Sequence, residues 1–276
     1  MNHANQPRCA AVLGAPIEHS LSPVLHRAGY AAADLTGWEY HRRECRAEDL
    51  PGIVGQAGPE YAGFSVTMPG KFAALEYATE ATDRARAIGA ANTLVRVPGG
   101  WRADNTDVEG ILGALGELGV RSPRRALLVG SGGTARPALY ALAQMGVRRV
   151  DVLNRSDRVA ELRPLVAGTP CEVVGHRLGD ETVGLAALAR SAEVIVSTVP
   201  SAAIADYVQD LAHGRVLDVI YDPWPTPLCT QAAANGFRTV GGHVMLAHQA
   251  YSQFEQFTGV TAPRTAMHRA LEEHIG

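Results

Sequence analysis

The sequence predicts an α/β fold in two domains, on three observations. Short apolar runs alternate with amphipathic stretches almost from end to end, the rhythm of strands joined by crossover helices in a largely parallel sheet. Beyond Arg125 that rhythm tightens and carries a glycine-rich strand-to-helix turn, as expected of a doubly wound nucleotide-binding sheet. At 276 residues the chain also exceeds the roughly 250 that one core usually fills.

In the first third, Cys9 to Gly14 is expected as a buried strand. Ser22-Pro23 then opens a helix to about Ala33, with serine as N-cap and proline at the first helical position. A strand over Trp38 to Arg43, a helix ending near Val54 and a strand over Tyr61 to Val66 follow, which leaves Lys71 in a loop just past a strand's C-terminal end. Thr93 to Val97 and Trp101 to Asp104 read as a hairpin across Pro98-Gly99-Gly100, and a helix from Asp107 to about Leu118 comes after it. Farther on, strands are expected over Ala126 to Val129, Val150 to Leu153, Val194 to Ser197 and Val216 to Val219. Helices cover Thr134 to Met145 and Val159 to Val166, and after Val240 the chain turns helical over Val244 to Thr258 and Pro263 to His274. The expected boundaries fall near Thr106 and Gly241. Residues 1–106 form one domain, 107–241 a dinucleotide-binding domain, and 242–276 return to complete the first, with a cleft between the two.

Composition excludes several classes of function. A net charge of -3 and a pI near 6.4 offer no basic field for nucleic acid. Cys9, Cys45, Cys171 and Cys229 are scattered without a Cys-x-x-Cys pair, and the ten histidines show no ligand spacing, so neither a metal nor a disulfide framework is expected. Met1 to Ala10 lacks a basic region followed by an apolar core, and no apolar run approaches the ~20 residues a bilayer requires. The expectation is a cytoplasmic protein with no membrane partner, either monomer or homodimer.

Lys71 is the only lysine, against twenty-four arginines. Arginine supplies a permanent charge, but its pKa is too high for proton exchange near neutrality, whereas a lysine amine can be tuned to it. On composition alone Lys71 is equally a chance survivor of an arginine bias, and the neighbouring motifs must decide.

Leu127 to Val129 runs into Gly130-Ser131-Gly132-Gly133-Thr134-Ala135, a Gly-x-Gly-x-x-Ala turn between a buried strand and a helix, the context of a dinucleotide fingerprint. Gly130 permits the tight turn, Gly132 lets the backbone approach a pyrophosphate at the helix N-terminus, and Ala135 allows close helix packing. The next strand ends in Asn154-Arg155-Ser156, with Arg158 beyond, instead of the acid that accepts from an NAD ribose. Two guanidiniums, an amide and a hydroxyl suit a ribose phosphate and favour NADP(H); the alternative is that both arginines are solvated charges at a helix start.

Seven ordered segments together give a resemblance. They are Gly14 to Pro23, Ser65 to Lys71, Gly89 to Leu94, Asp104 to Asp107, the glycine loop, Tyr221-Asp222-Pro223 and Gly242 to Gln249. Over essentially its whole length the chain resembles the shikimate dehydrogenases, which join a substrate domain to an NADP domain and reduce 3-dehydroshikimate to shikimate. The resemblance implies that Ser20, Ser22 and Tyr221 donate to the substrate carboxylate, and that Thr67, Asn92 and Gln249 hold ring hydroxyls. It implies Lys71 and Asp107 as the catalytic pair, with Asp107 also touching substrate. Asp83, Val219 and Gly242 match positions used around the cofactor, the latter two through backbone atoms. Read without the resemblance, Ser22 is an N-cap and Asp107 a helix-capping acid.

Two departures from the family pattern stand out. Ser65 replaces the usual asparagine before Val66-Thr67, and Ser156 replaces a threonine, with Arg158 closer to it than the family's second basic residue. The rivals are a quinate/shikimate or aminoshikimate-type dehydrogenase and, in another class, a non-catalytic NADP(H)-binding sensor. A sensor needs only the glycine loop and phosphate contacts, so retention of Lys71 and Asp107 speaks for an enzyme.

Overall fold

The computed structural model describes residues 8–156, 158–180 and 182–275. The chain divides into two compact units, one built from the segment up to Thr106 together with the chain from Gln249 onward, the other from Asp107–His248.

The first unit opens with β1 (Arg8–Gly14), α1 (Ser22–Ala32), β2 (Trp38–Glu44), α2 (Leu50–Gly55) and β3 (Tyr61–Val66). It continues with α3 (Lys71–Tyr77), β4 (Glu80–Ala81), α4 (Asp83–Ile88), β5 (Thr93–Val97) and β6 (Gly100–Asp104). Its mixed sheet has the order β2-β1-β3-β5-β6-β4, with β3-β5 and β5-β6 antiparallel. Every residue of β1 after Arg8 is buried, as a strand covered on both faces requires, whereas edge strand β2 buries only Tyr40. Because β5 runs against its neighbours, its N-terminal end, Thr93, pairs with Ser65 and Asp104 near the C-terminal ends of β3 and β6. The segments after β1, β3 and β6 and before β5 therefore emerge along one edge of the sheet.

The second unit contains α5 (Asp107–Glu117), β7 (Arg125–Val129), α6 (Ala135–Gln144), β8 (Arg149–Asn154), α7 (Val159–Leu162) and β9 (Glu172–Arg177). There follow α8 (Leu185–Ser191), β10 (Val194–Ser197), α9 (Val208–Leu211), β11 (Val216–Asp218), α10 (Pro227–Ala234) and β12 (Thr239–Gly241). Its six strands are all parallel in the order β12-β11-β10-β7-β8-β9, the doubly wound arrangement whose switch point lies between β7 and β10. The chain closes with α11 (Gly242–Thr258) and α12 (Arg264–Ile275).

Several expectations need correction. Leu21, not Ser22, is the N-cap of α1; Ser22 and Pro23 lie within its first turn, and no side chain caps it. Lys71 is not in a loop but opens the short helix α3, with Gly70 as N-cap. Helix Val159–Leu162 gives way to a 3₁₀ turn over Arg163–Val166, where Pro164 has no N–H for an α-helical bond. The hairpin turn is Pro98-Gly99 alone, with Gly99 at φ 86° and Gly100 already in β6. The chain passes between units at Gln249 and not at Gly241. The start of α11 stays with the second unit because the Gly242 N–H donates to the Ile220 carbonyl at 3.1 Å and His248 bonds Glu117 at 2.8 Å.

His26, on α1, is fully buried, with its ring stacked on Tyr40 at 4.2 Å and aromatic rings of Tyr30, Phe254 and Phe257 around it. Burial pushes its pKa down to about 3, against a smaller opposing contribution from Gln253. The unfolded imidazole takes a proton below about pH 6.5 while the folded one stays neutral, so acid favours unfolding. Stability from this group is complete above pH 6.5 and is lost toward pH 3, by on the order of 4 kcal/mol in full. Urea midpoints measured from pH 7 to pH 4 should fall more steeply for the wild type than for His26→Phe; equal slopes would remove His26 as a cause.

Candidate active site

In the first unit, the carboxyl edge of the sheet gathers six of the substrate-half residues singled out by sequence. The turn after β1 is held to the turn after β3: the Ala15 N–H donates to the Met68 carbonyl at 3.1 Å and Thr67 N–H to Leu13 at 2.9 Å. A Cβ on Gly14 would overlap Thr67 Cγ2, so a glycine is needed where these turns meet. Ser20 lies on the first turn and Ser22, almost fully buried, opens α1 after it; the Arg42 guanidinium donates to the Ser20 carbonyl at 2.9 and 2.6 Å. Thr67 lies on the second, and half-buried Lys71 opens α3 directly after it. The Lys71 carbonyl accepts from the Ala91 N–H at 2.9 Å, which ties the start of α3 to the segment that holds Asn92 just before β5.

Asn92 is 2% exposed and Gln249 6%. Asn92 Nδ2 donates to Thr106 Oγ1 at 3.0 Å and to Gln249 Oε1 at 3.3 Å, while Asn92 Oδ1 accepts from the Thr106 N–H at 2.8 Å. Thr106, where the chain leaves the first unit, is thus clamped directly before Asp107. Next to it, Asp104 accepts from Arg84 Nε and Nη2, both at 2.6 Å, from Thr82 at 2.7 Å and from Gln256 at 2.8 Å. Burial alone would push this carboxyl up, but Arg84, with Thr82 and Gln256, holds it below the ordinary carboxylate range. Asp104 braces α4 and α11 against the end of β6.

Sequence reasoning missed Thr93, Thr106 and Gln253 as parts of this cluster. A signal existed for Gln253: it stands four residues after Gln249 on one helix, hence on the same face. Asp83 is exposed on the first turn of α4, in the first unit.

In the second unit, Gly130 has φ 107°, and a Cβ there would meet Thr198 Oγ1 at 2.5 Å and Val199 Cγ1 at 2.8 Å. Gly132 and Gly133 face open space: a Cβ on either meets nothing within 4 Å, so only an incoming group would be excluded by it. Thr134 precedes α6 without a capping hydrogen bond, and Ala135 is fully buried under that helix. Gly130, Ser131, Gly132, Asn154, Arg155, Ser156 and Arg158 line one cavity of about 220 Å³, closed by Leu178, Val199 and Ile204. Asn154 Oδ1 accepts from the Ser156 N–H at 2.7 Å, which shapes the turn so that Arg155 and Ser156 are exposed at the end of β8. The last residue of β8 is Asn154 and not an acid. Arg158, by contrast, is engaged by Glu161 through Nε at 2.9 Å and Nη2 at 2.7 Å.

Asp107 opens α5, 5% exposed, where the helix N-terminus favours a carboxylate. Tyr221 is half-buried after β11; burial, then the charge of Asp222, pushes its phenol up, so it stays a neutral donor. Gly242 lies against the Val219-Ile220 backbone, and a Cβ there would overlap the Val219 carbonyl.

Comparison with known proteins gives a consistent picture. Residues 12–94 match the family model of the shikimate dehydrogenase substrate binding domain, and residues 242–272 that of the shikimate 5'-dehydrogenase C-terminal domain. The shikimate dehydrogenase (NADP(+)) of Methanocella arvoryzae is 35% identical over 280 residues, covering 96% of this chain and 98% of the relative. The pentafunctional AROM polypeptide of Candida tropicalis is also 35% identical over 280 residues, and the chain spans 18% of its length. The crystal structure of Mycobacterium tuberculosis shikimate dehydrogenase superposes with a TM-score of 0.91 at 48% identity, covering 97% of this chain and all of that one. With four of its seven sequence segments lying in the matched regions and similarity along nearly its whole length in sequence and in structure, the chain belongs to the shikimate dehydrogenase family.

Proposed function

We propose that the protein is an NADP-dependent oxidoreductase that interconverts 3-dehydroshikimate and shikimate, a cytoplasmic step of aromatic amino-acid biosynthesis. The observation that carries this most is the placing of Lys71, the sole lysine, beside the segment that holds Asn92, on the edge of the sheet where Ser20, Ser22 and Thr67 also lie and where Gln249 bonds Asn92.

The second unit fits NADP(H). Open space over Gly132 and Gly133 leaves room for a pyrophosphate at the start of α6, and the end of β8 offers Arg155, Ser156 and the Asn154 turn instead of an acid. The remaining contacts come from Ser131, Thr134 and the backbone of Val219 and Gly242. When bound, the cofactor supplies the hydride. Everything else falls to the chain. Ser20, Ser22 and Tyr221 donate hydroxyl hydrogen bonds to the substrate carboxylate, Thr67, Asn92 and Gln249 hold its hydroxyls, and Lys71 gives a proton to the oxygen that becomes the alkoxide. In the reverse direction Lys71 takes that proton. Asp107 orients the amine and accepts from a substrate hydroxyl.

Arg155 carries the cofactor preference in this scheme, since Arg158 is already held by Glu161. Arg155→Ala should weaken NADP+ binding by roughly 10- to 100-fold in calorimetric titration and leave NAD+ binding within about twofold, as loss of a charge-assisted phosphate contact predicts. Equal losses for both would detach Arg155 from the phosphate. The function itself is tested by initial rates with shikimate or quinate, each offered NADP+ and NAD+. Activity largely confined to shikimate with NADP+ is expected; preference for quinate or NAD+, or no turnover, would overturn it.

A further inference from the structure

Beneath Asn92 and Gln249 lies a hydrogen-bond chain through Tyr40, Ser65, Gln253, Thr93 and Thr106, all buried and all within the first unit. Its polarity is set by two backbone groups that cannot change role. The Asn92 carbonyl only accepts, so the Gln253 atom 3.1 Å from it is Nε2, and Gln253 Oε1 faces Ser65 Oγ at 2.7 Å. Ser65 therefore donates to Gln253 and accepts from Tyr40, 2.6 Å away. The Thr106 N–H only donates, so the Asn92 atom at 2.8 Å is Oδ1. Thr93 Oγ1 joins the two ends: it accepts from Gln253 Nε2 at 3.0 Å and passes its own proton to Asn92 Oδ1 at 2.8 Å. With Oδ1 held from two sides, Asn92 Nδ2 is turned toward Gln249 Oε1, and Gln249 directs its oxygen inward. The end that Gln249 offers to a ligand is then its Nε2, a donor.

We propose that Thr93 and Gln253 are positioning residues for the substrate. They hold the Asn92 and Gln249 amides in one polarity, so that Gln249 meets an oxygen acceptor on a polyhydroxylated carboxylic acid as an N–H donor. Ser65 is part of the same device: its short hydroxyl both accepts from Tyr40 and donates to Gln253, a pair of roles that suits the space between them. The inference rests on the substrate contacts assigned to Asn92 and Gln249 above.

Thr93→Val keeps the shape of the side chain and removes the hydroxyl; Thr93→Ser keeps the hydroxyl. The KM for shikimate should rise about tenfold in Thr93→Val with kcat changed less than about threefold, and return to within about twofold of wild type in Thr93→Ser. The NADP+ dissociation constant should be unchanged in both. Gln249→Ala serves as the reference for the substrate contact. If it raises the shikimate KM while Thr93→Val does not, the positioning role is overturned and the substrate contacts stand. If Gln249→Ala leaves the KM unchanged, the substrate contacts fail and the positioning role with them. Equal impairment of Thr93→Ser and Thr93→Val would assign the effect to packing and overturn the proposal. Should Thr93→Val not fold, Gln253→Met is measured against the same references, with the same rise in KM expected.

Discussion

Lys71→Ala should lower kcat for shikimate oxidation by roughly 10²- to 10⁴-fold, the range that positioned proton transfer contributes, and leave the dissociation constant for NADPH within about twofold. The fold should survive. The Lys71 carbonyl accepts from the Ala91 N–H, and alanine keeps that bond. Lysine at the first position of α3 faces the positive end of the helix, a place where helix stability does not favour a cation. Lys71→Arg separates charge from proton exchange, since a guanidinium keeps the one and cannot perform the other near neutrality. It should be nearly as inactive as Lys71→Ala, measured by steady-state rates with fluorescence titration of NADPH. Full activity of Lys71→Arg would exclude proton transfer by this side chain, and parallel loss of turnover and NADPH affinity would place Lys71 in cofactor binding or folding.

Gly242→Ala should be costly for a different reason. The Cβ would overlap the Val219 carbonyl and stand 3.1 Å from the Ile220 carbonyl carbon, and these are backbone atoms with little freedom to retreat. Val219 N–H is bonded to Ser197 at 3.0 Å, and Ile220 N–H to Asp218, which Thr226 also holds at 2.8 Å. A destabilisation of about 2–4 kcal/mol is expected, in the range of overpacking against fixed structure, with the thermal midpoint lowered by roughly 5–10 °C. NADP+ affinity should fall as well, because Val219 and Gly242 face the cofactor in the proposed scheme. Gly133→Ala is the contrast. Its Cβ enters open space, so the thermal midpoint should hold while NADP+ affinity falls. Similar stability losses in the two variants would contradict the distinction between a packing glycine and a ligand-facing one.

Four strands of the second unit, β7, β8, β10 and β11, were legible because they are continuous buried runs, and the turn at 130–135 because a strand, glycines and a helix follow one another closely. Lys71 stood out by composition, yet its helix did not: Pro69-Gly70 reads as a turn, and α3 has only seven residues with one of them fully buried. Strands β4 and β12 are two and three residues long, and edge strand β9 has only two adjacent valines between Glu172 and Gly175-His176-Arg177, which periodicity does not separate from a loop. Arg158 was legible as a charge but not as a partner of Glu161, three residues on. Thr93 and Gln253 were hidden for a more general reason. A buried polar side chain acquires its meaning from partners distant in sequence, and Gln253 meets Ser65 across 188 residues.

The most direct test of the central assignment is a single-turnover experiment in which enzyme and NADPH are mixed with 3-dehydroshikimate, and nicotinamide absorbance and shikimate are followed together. One shikimate should form for each NADPH consumed by the wild type, and almost none in Lys71→Ala loaded with NADPH to the same occupancy. Consumption of NADPH without shikimate, or an unchanged transient in Lys71→Ala, would contradict it.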